Sequence, residues 1–148
     1  MGWSGDLGSI HLADSPYLTL NNIYVILLEK IMTWTVNFYR DSEGNVPVED
    51  FLVGLPGKDR ARIAWTINLL EEYGLQLGSP YVKHLRGKLW ELRIRAGRKA
   101  YRIIYFAYVG RQFVLLHGFL KKTRKTPRRE LEIAERRMAD FLTREEGV

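Results

Sequence analysis

"LWELRIRAGRKAYRIIYFAYVGRQFVLLHGFLKK", residues 89–122, is the stretch that decides how this chain folds. It divides into three apolar runs, Leu89–Arg95, Ala100–Val109 and Gln112–Lys122, joined by AGRK and GR. Connections this short, each containing glycine, join antiparallel neighbours, so the stretch predicts a three-stranded meander. In the first run Trp90, Leu92 and Ile94 share one face, and Glu91, Arg93 and Arg95 share the other. In the second, Arg102 alternates with Ile104, Phe106 and Tyr108. In the third, alternation groups Phe113, Leu115, His117, Phe119 and Lys121 against Val114, Leu116, Leu120 and Lys122. Neighbouring strands lie about 4.8 Å apart. Arg93, Arg102 and Lys121 are therefore predicted to come within reach of one phosphate, if the register brings them level.

The flanking segments complete an α+β pattern. Trp34, Val36 and Phe38 alternate with Thr35, Asn37 and Tyr39, as in a half-buried strand. Val48, Phe51, Leu52 and Leu55 then fall at helical spacing behind Pro47, which suits a first helical turn. Pro56 and Gly57 break that helix, and a second is predicted from about Lys58 to Tyr73. Ile63, Ile67 and Leu70 form its apolar stripe, widened by Ala64 and Trp65, with Gly74 ending it. Two helices joined this closely form a hairpin able to cover one face of a sheet. Residues 75–87 read as a loop or short irregular strand. The last helix is predicted over Pro127–Glu145, with Thr126 as N-cap and Leu131, Ala134, Met138, Phe141 and Leu142 on one face. The order βαα, βββ, α defines one layered α+β domain.

Residues 1–31 differ in character, being rich in Gly, Ser, Asp and Asn up to a short apolar run. They are read as an N-terminal extension, disordered or preceding the ancestral start, with residues 32–148 as the domain. There is no cysteine, which excludes disulfides and cysteine-bound metal centres. His11, His84 and His117 lack metal-ligand spacing, so no metal and no cofactor are expected. No run is long enough to span a membrane, and no secretory signal is evident, which predicts a cytoplasmic protein.

Charge is unevenly spread. Residues 1–82 hold 5 Lys/Arg and 10 Asp/Glu, whereas residues 83–148 hold 18 and 7, a net of +11 in the second part. That asymmetry points to a polyanion or an acidic protein as partner. No nucleophile elbow or phosphate-binding glycine loop is present. Cations converging at strand ends suit metal-independent RNA cleavage, in which the 2′-OH attacks the adjacent phosphorus and leaves a 2′,3′-cyclic phosphate. Such a site needs a base, an acid and cations for the phosphorane, and a lysine crowded by other cations can serve. Phe119, Phe106 and Tyr101 are the candidate rings for stacking bases. Each residue also has a plainer reading: Glu91 and Arg93 as an ion pair, Arg102 as cover for the sheet, His117 as a hydrogen-bonded core residue, and Lys121–Lys125 as a solvated strand exit.

The strings KHLRGKLWELRI, YRIIYF and VLLHGFLKKTRKTP, followed by a helix rich in Glu and Arg, resemble the RelE/ParE toxin superfamily. The nearest likeness is to its HigB-like, phage-derived branch, over about residues 32–141. The resemblance implies the RelE-like microbial-RNase fold: a small antiparallel sheet with an N-terminal helical hairpin on one face, a concave basic face opposite and a C-terminal helix. It implies a type II toxin that cleaves mRNA on the ribosome and is restrained by a cognate helix-turn-helix antitoxin, the complex binding promoter DNA. Carried onto this chain, Arg102 would stabilise the phosphorane. Lys121 or Lys122 would act as base or acid, with the face shared with His117 and Phe119 favouring Lys121. Arg93 would join the catalytic set. Lys83 and Arg86 would grip the RNA backbone, with Phe119, Arg124 and Lys125 also on the RNA. Two other readings stay open: a ParE-like inhibitor of gyrase without catalysis, and a non-catalytic nucleic-acid-binding module.

Overall fold

The computed structural model describes residues 22–25, 27–28 and 33–147. The chain forms two units, Met1–Thr33 and Trp34–Val148. In the first, residues 22–25 and 27–28 are helical. The extension assigned to residues 1–31 otherwise lies outside the described residues. No helix among the described residues is long and apolar enough to cross a membrane.

The second unit runs β1 (Thr35–Phe38), α1 (Pro47–Val53), α2 (Gly57–Tyr73), a 3-10 turn (Gly74–Gln76), β2 (Val82–Arg86), β3 (Leu89–Ala96), β4 (Lys99–Tyr108), β5 (Gln112–Leu120) and α3 (Arg128–Glu145). The five strands make one sheet in the order β1-β5-β4-β3-β2. β2 to β5 form an antiparallel meander, as the short Gly-containing connections require. β1 joins the far edge parallel to β5, a pairing between residues distant in sequence.

The hairpin α1–α2 covers one face. Val48, Ile63, Ile67 and Leu70 pack there against Leu92, Ile94, Tyr101, Ile103, Tyr105, Phe113 and Leu115. The buried stripe of α2 is Ile63, Thr66, Ile67 and Leu70. Ala64 and Trp65 do not widen it; both are exposed. At about 100° per residue, Trp65 lies some 200° round the helix from Ile63, on the opposite side. The Tyr101 hydroxyl donates to the Asp59 carboxylate and ties the start of α2 to β4.

The other face is not an open concave surface. Leu131, Ala134, Met138, Phe141 and Leu142 of α3 pack on Ile104, Phe106, Val114 and Leu116. The apolar stripe of α3 has to be buried somewhere, and this is the face the hairpin leaves free. α3 begins differently from expectation. Pro127 is its N-cap residue, without a side-chain capping bond, and the Thr126 hydroxyl donates instead to Glu91 at 2.7 Å.

Strict alternation also fails in β5. Tyr105 pairs with Leu115 but Ile104 pairs with His117, so Leu116 is an extra residue in a β-bulge. The bulge shifts the phase by one. Phe113 and Leu115 face the hairpin, whereas His117 and Phe119 join Val114 and Leu116 towards α3. Gly118, next to the bulge, lets α1 approach. A Cβ added there would stand 2.6 Å from Phe51 Cδ2 and 2.9 Å from its Cε2. Gly118→Ala is expected to destabilise the fold by about 1–3 kcal/mol through overpacking, read as a lower midpoint in urea unfolding.

Candidate phosphate-binding cleft

The register sets the site. Arg93 on β3 lies directly opposite Arg102 on β4, and Arg102 lies opposite Phe119 on β5. The Lys121 N–H donates to Ala100 O at 2.7 Å, which carries the β4–β5 pairing one residue past the strand end. Two cations facing each other across a ladder repel. Glu91 compensates them. Its side chain is buried, and one carboxylate oxygen lies 3.3 Å from Arg102 Nε and 3.5 Å from Arg93 Nε. The other oxygen accepts from Thr126.

Arg102 is 7% exposed and also donates to its neighbour Tyr101 O at 3.1 Å. Burial lowers its pKa from the usual guanidinium value while Glu91 holds it up. Such a group stays a cation at any physiological pH. Arg93 Nε is buried without a hydrogen-bond partner, yet a third of the Arg93 side chain is exposed. The two guanidiniums are anchored from beneath by one carboxylate.

Both arginines also line a cleft of about 500 Å³. Arg62, Trp65 and Thr66 of α2 form one wall, and Pro80 and Tyr81 of the turn before β2 extend it. Arg93, Ile94, Arg95, Ala100, Arg102 and Lys121 come from the sheet. Five of these residues are cationic and none carries a carboxylate. A recess lined by one sign of charge with low-dielectric walls focuses its field outward and concentrates anions. Among the described residues, no group of three or more His, Asp or Glu is placed to hold a metal ion.

Of the residues singled out from sequence, Arg93, Arg102 and Lys121 line this cleft together. Lys122, Arg124 and Lys125 are exposed on the segment after β5, outside the cleft lining. Lys83 is exposed on β2, opposite Glu91 in the ladder. Arg86 is directed to α3, where its Nε and NH2 donate to both oxygens of Glu135 at 2.9 and 2.8 Å.

The aromatic candidates lie elsewhere. Phe119, at 8% exposed, is core and stacks on His117 with centroids 5.7 Å apart. Phe106 and Tyr101 are each 1% exposed, which leaves no ring face open to a base. The rings lining the cleft are the exposed Trp65 and the half-buried Tyr81, packed edge to face at 6.2 Å, with the Arg62 guanidinium 4.9 Å over Trp65. Counting Trp65 round the helical wheel would have found it, since its position is incompatible with the Ile63–Ile67–Leu70 stripe.

His117 ties β5 to α3. Arg137, which can only donate, reaches His117 Nδ1 at 3.1 Å, so Nε2 carries the proton and donates to Glu130 at 2.7 Å. Burial pulls the imidazole pKa below its ordinary value, against the opposing influence of Glu130. It is a satisfied core residue.

A small mostly antiparallel sheet with a helical hairpin before the meander and a helix after it is consistent with a small RelE-like toxin fold. Residues 50–139 match the model of the family described as phage-derived protein Gp49-like (DUF891), and the chain belongs to that family. The family is of the RelE/HigB toxin type, and a toxin of that kind implies an antitoxin partner. No curated protein matches the chain.

Proposed function

We propose that this chain is a HigB-like toxin that cleaves mRNA on the ribosome, by metal-independent attack of a 2′-OH on its own phosphate. The observation that carries this reading is the convergence of Arg93, Arg102 and Lys121, from three adjacent strands, on one cleft without a lining carboxylate. Arg102, fixed by Glu91, is suited to the charge that builds on the phosphorane, because a preorganised cation needs no rearrangement at the moment of reaction. Lys121, half-buried at the cleft, is the candidate for proton transfer at the 2′-OH or the leaving 5′-oxygen. Arg93 holds a non-bridging oxygen. The exposed cations Lys83, Lys122, Arg124 and Lys125 draw in and follow the RNA backbone. Arg86 serves the fold through Glu135 before it serves RNA. The antitoxin is a helix-turn-helix protein, and promoter DNA is met only through the complex.

Induction in a bacterium with mapping of mRNA 5′ ends tests this. New ends inside translated codons are expected, absent from an Arg102→Ala/Lys121→Ala double variant. Growth arrest with intact mRNA and damaged DNA would move the function to gyrase. Neither arrest nor cleavage would leave a binding module.

A further inference from the structure

The basic cleft does not end at Trp65 and Tyr81. Both residues also line a second recess of about 370 Å³, whose other walls include Leu69, Tyr73, Leu77 and Gly78. Trp65, Leu69 and Tyr73 follow one another at four-residue spacing along the outer side of α2, with Trp65 44% and Tyr73 52% exposed. The two recesses therefore share a wall. On one side of it stand cations, on the other apolar and aromatic surface.

We infer that Trp65, backed by Tyr81, is a stacking platform for one unpaired nucleobase of a single-stranded polynucleotide whose phosphate lies on Arg93, Arg102 and Lys121. This rests on the reading of the basic cleft as a phosphate site. A polynucleotide alternates an anion with a flat, weakly polar ring, which matches a cation cluster set beside an aromatic face. Arg62, already lying over Trp65, adds a second flat cationic surface for a base to stack on.

The platform is held in place. Tyr81 N–H donates to Gly78 O at 3.0 Å, and Arg93 N–H donates to Tyr81 O at 2.7 Å, so the Tyr81 backbone is tied to the strand that carries Arg93. A duplex keeps its base faces inside the stack and has none to offer Trp65. The site therefore selects single strands through the ring and binds them through the phosphate.

The test uses the full chain and a short oligothymidylate, which lacks the 2′-OH and binds without being cleaved, alongside the same oligonucleotide carrying abasic positions. Oligothymidylate is expected to quench tryptophan fluorescence. Trp65→Ala is expected to weaken its binding about tenfold and to leave the abasic chain's binding unchanged. Trp65→Phe should retain most of the difference, and Arg102→Ala should weaken both ligands. Equal effects of Trp65→Ala on both ligands, or none on either, would overturn the platform. So would Trp65-dependent binding of a glutamate-rich peptide that displaces the oligonucleotide, which would make the two adjoining recesses a protein interface. Cleavage is not read, so a chain without nuclease activity can still pass, and an active nuclease can still fail.

Discussion

Glu91→Ala is expected to destabilise the fold by about 3 kcal/mol. Removing one partner of a buried ion pair typically costs about 3–5 kcal/mol, because the partner's charge is left uncompensated. Glu91 is 2% exposed and faces both Arg102 and Arg93. Arg102 is mostly buried, whereas Arg93, a third exposed, can swing into water, which places the figure at the lower end. The Thr126 hydroxyl also loses its acceptor, loosening the link between β3 and the start of α3. Urea unfolding measures the loss. In an Arg102→Met background the same substitution should cost clearly less, since the stranded cation is gone. A loss below about 1 kcal/mol for Glu91→Ala alone would mean that the cluster is far wetter than its burial indicates.

The second large effect is on activity. Arg102→Ala is expected to lower mRNA cleavage by about a hundredfold to a thousandfold, the usual consequence of removing one preorganised stabiliser of transition-state charge. Arg102→Lys should recover only part of it. A lysine keeps the charge but cannot engage Glu91 and Tyr101 O while presenting a flat fork to the phosphate. Because Arg102→Ala also leaves Glu91 buried without its main counterion, the cleavage rate should be compared at a temperature where both variants are folded by circular dichroism. A rate within fivefold of the parent would remove Arg102 from the chemistry.

Much of this was legible in the sequence. The helical hairpin, the meander and α3 follow from local periodicity and from turns too short to permit other connections. The convergence of Arg93, Arg102 and Lys121 follows from the same reasoning once neighbouring strands are laid side by side. What was not legible depends on events that a period cannot encode. The extra residue at Leu116 inverts the faces of His117 and Phe119 relative to Phe113, and only the partner strand reveals it. The β1–β5 pairing joins residues 35–38 to 112–115, far apart in the chain. Thr126 has the right identity for an N-cap, but Pro127 takes that position and the Thr126 hydroxyl is turned to Glu91, to which it donates. The burial of the aromatic candidates Phe119 and Phe106 has a related reason. A ring on a strand beside cations looks available, yet α3 covers that face, while Trp65 stays open on the outside of α2.

The central claim is that the Arg93–Arg102–Lys121 cleft holds the phosphate at which RNA is cut. The most direct test is end-group analysis of a defined mRNA, programmed on purified ribosomes and incubated with the purified chain. Fragments ending in 2′,3′-cyclic phosphate and fragments beginning with 5′-hydroxyl are expected from the parent and absent with Arg102→Ala/Lys121→Ala. Fragments beginning with 5′-phosphate, or identical cleavage by the double variant, would contradict it.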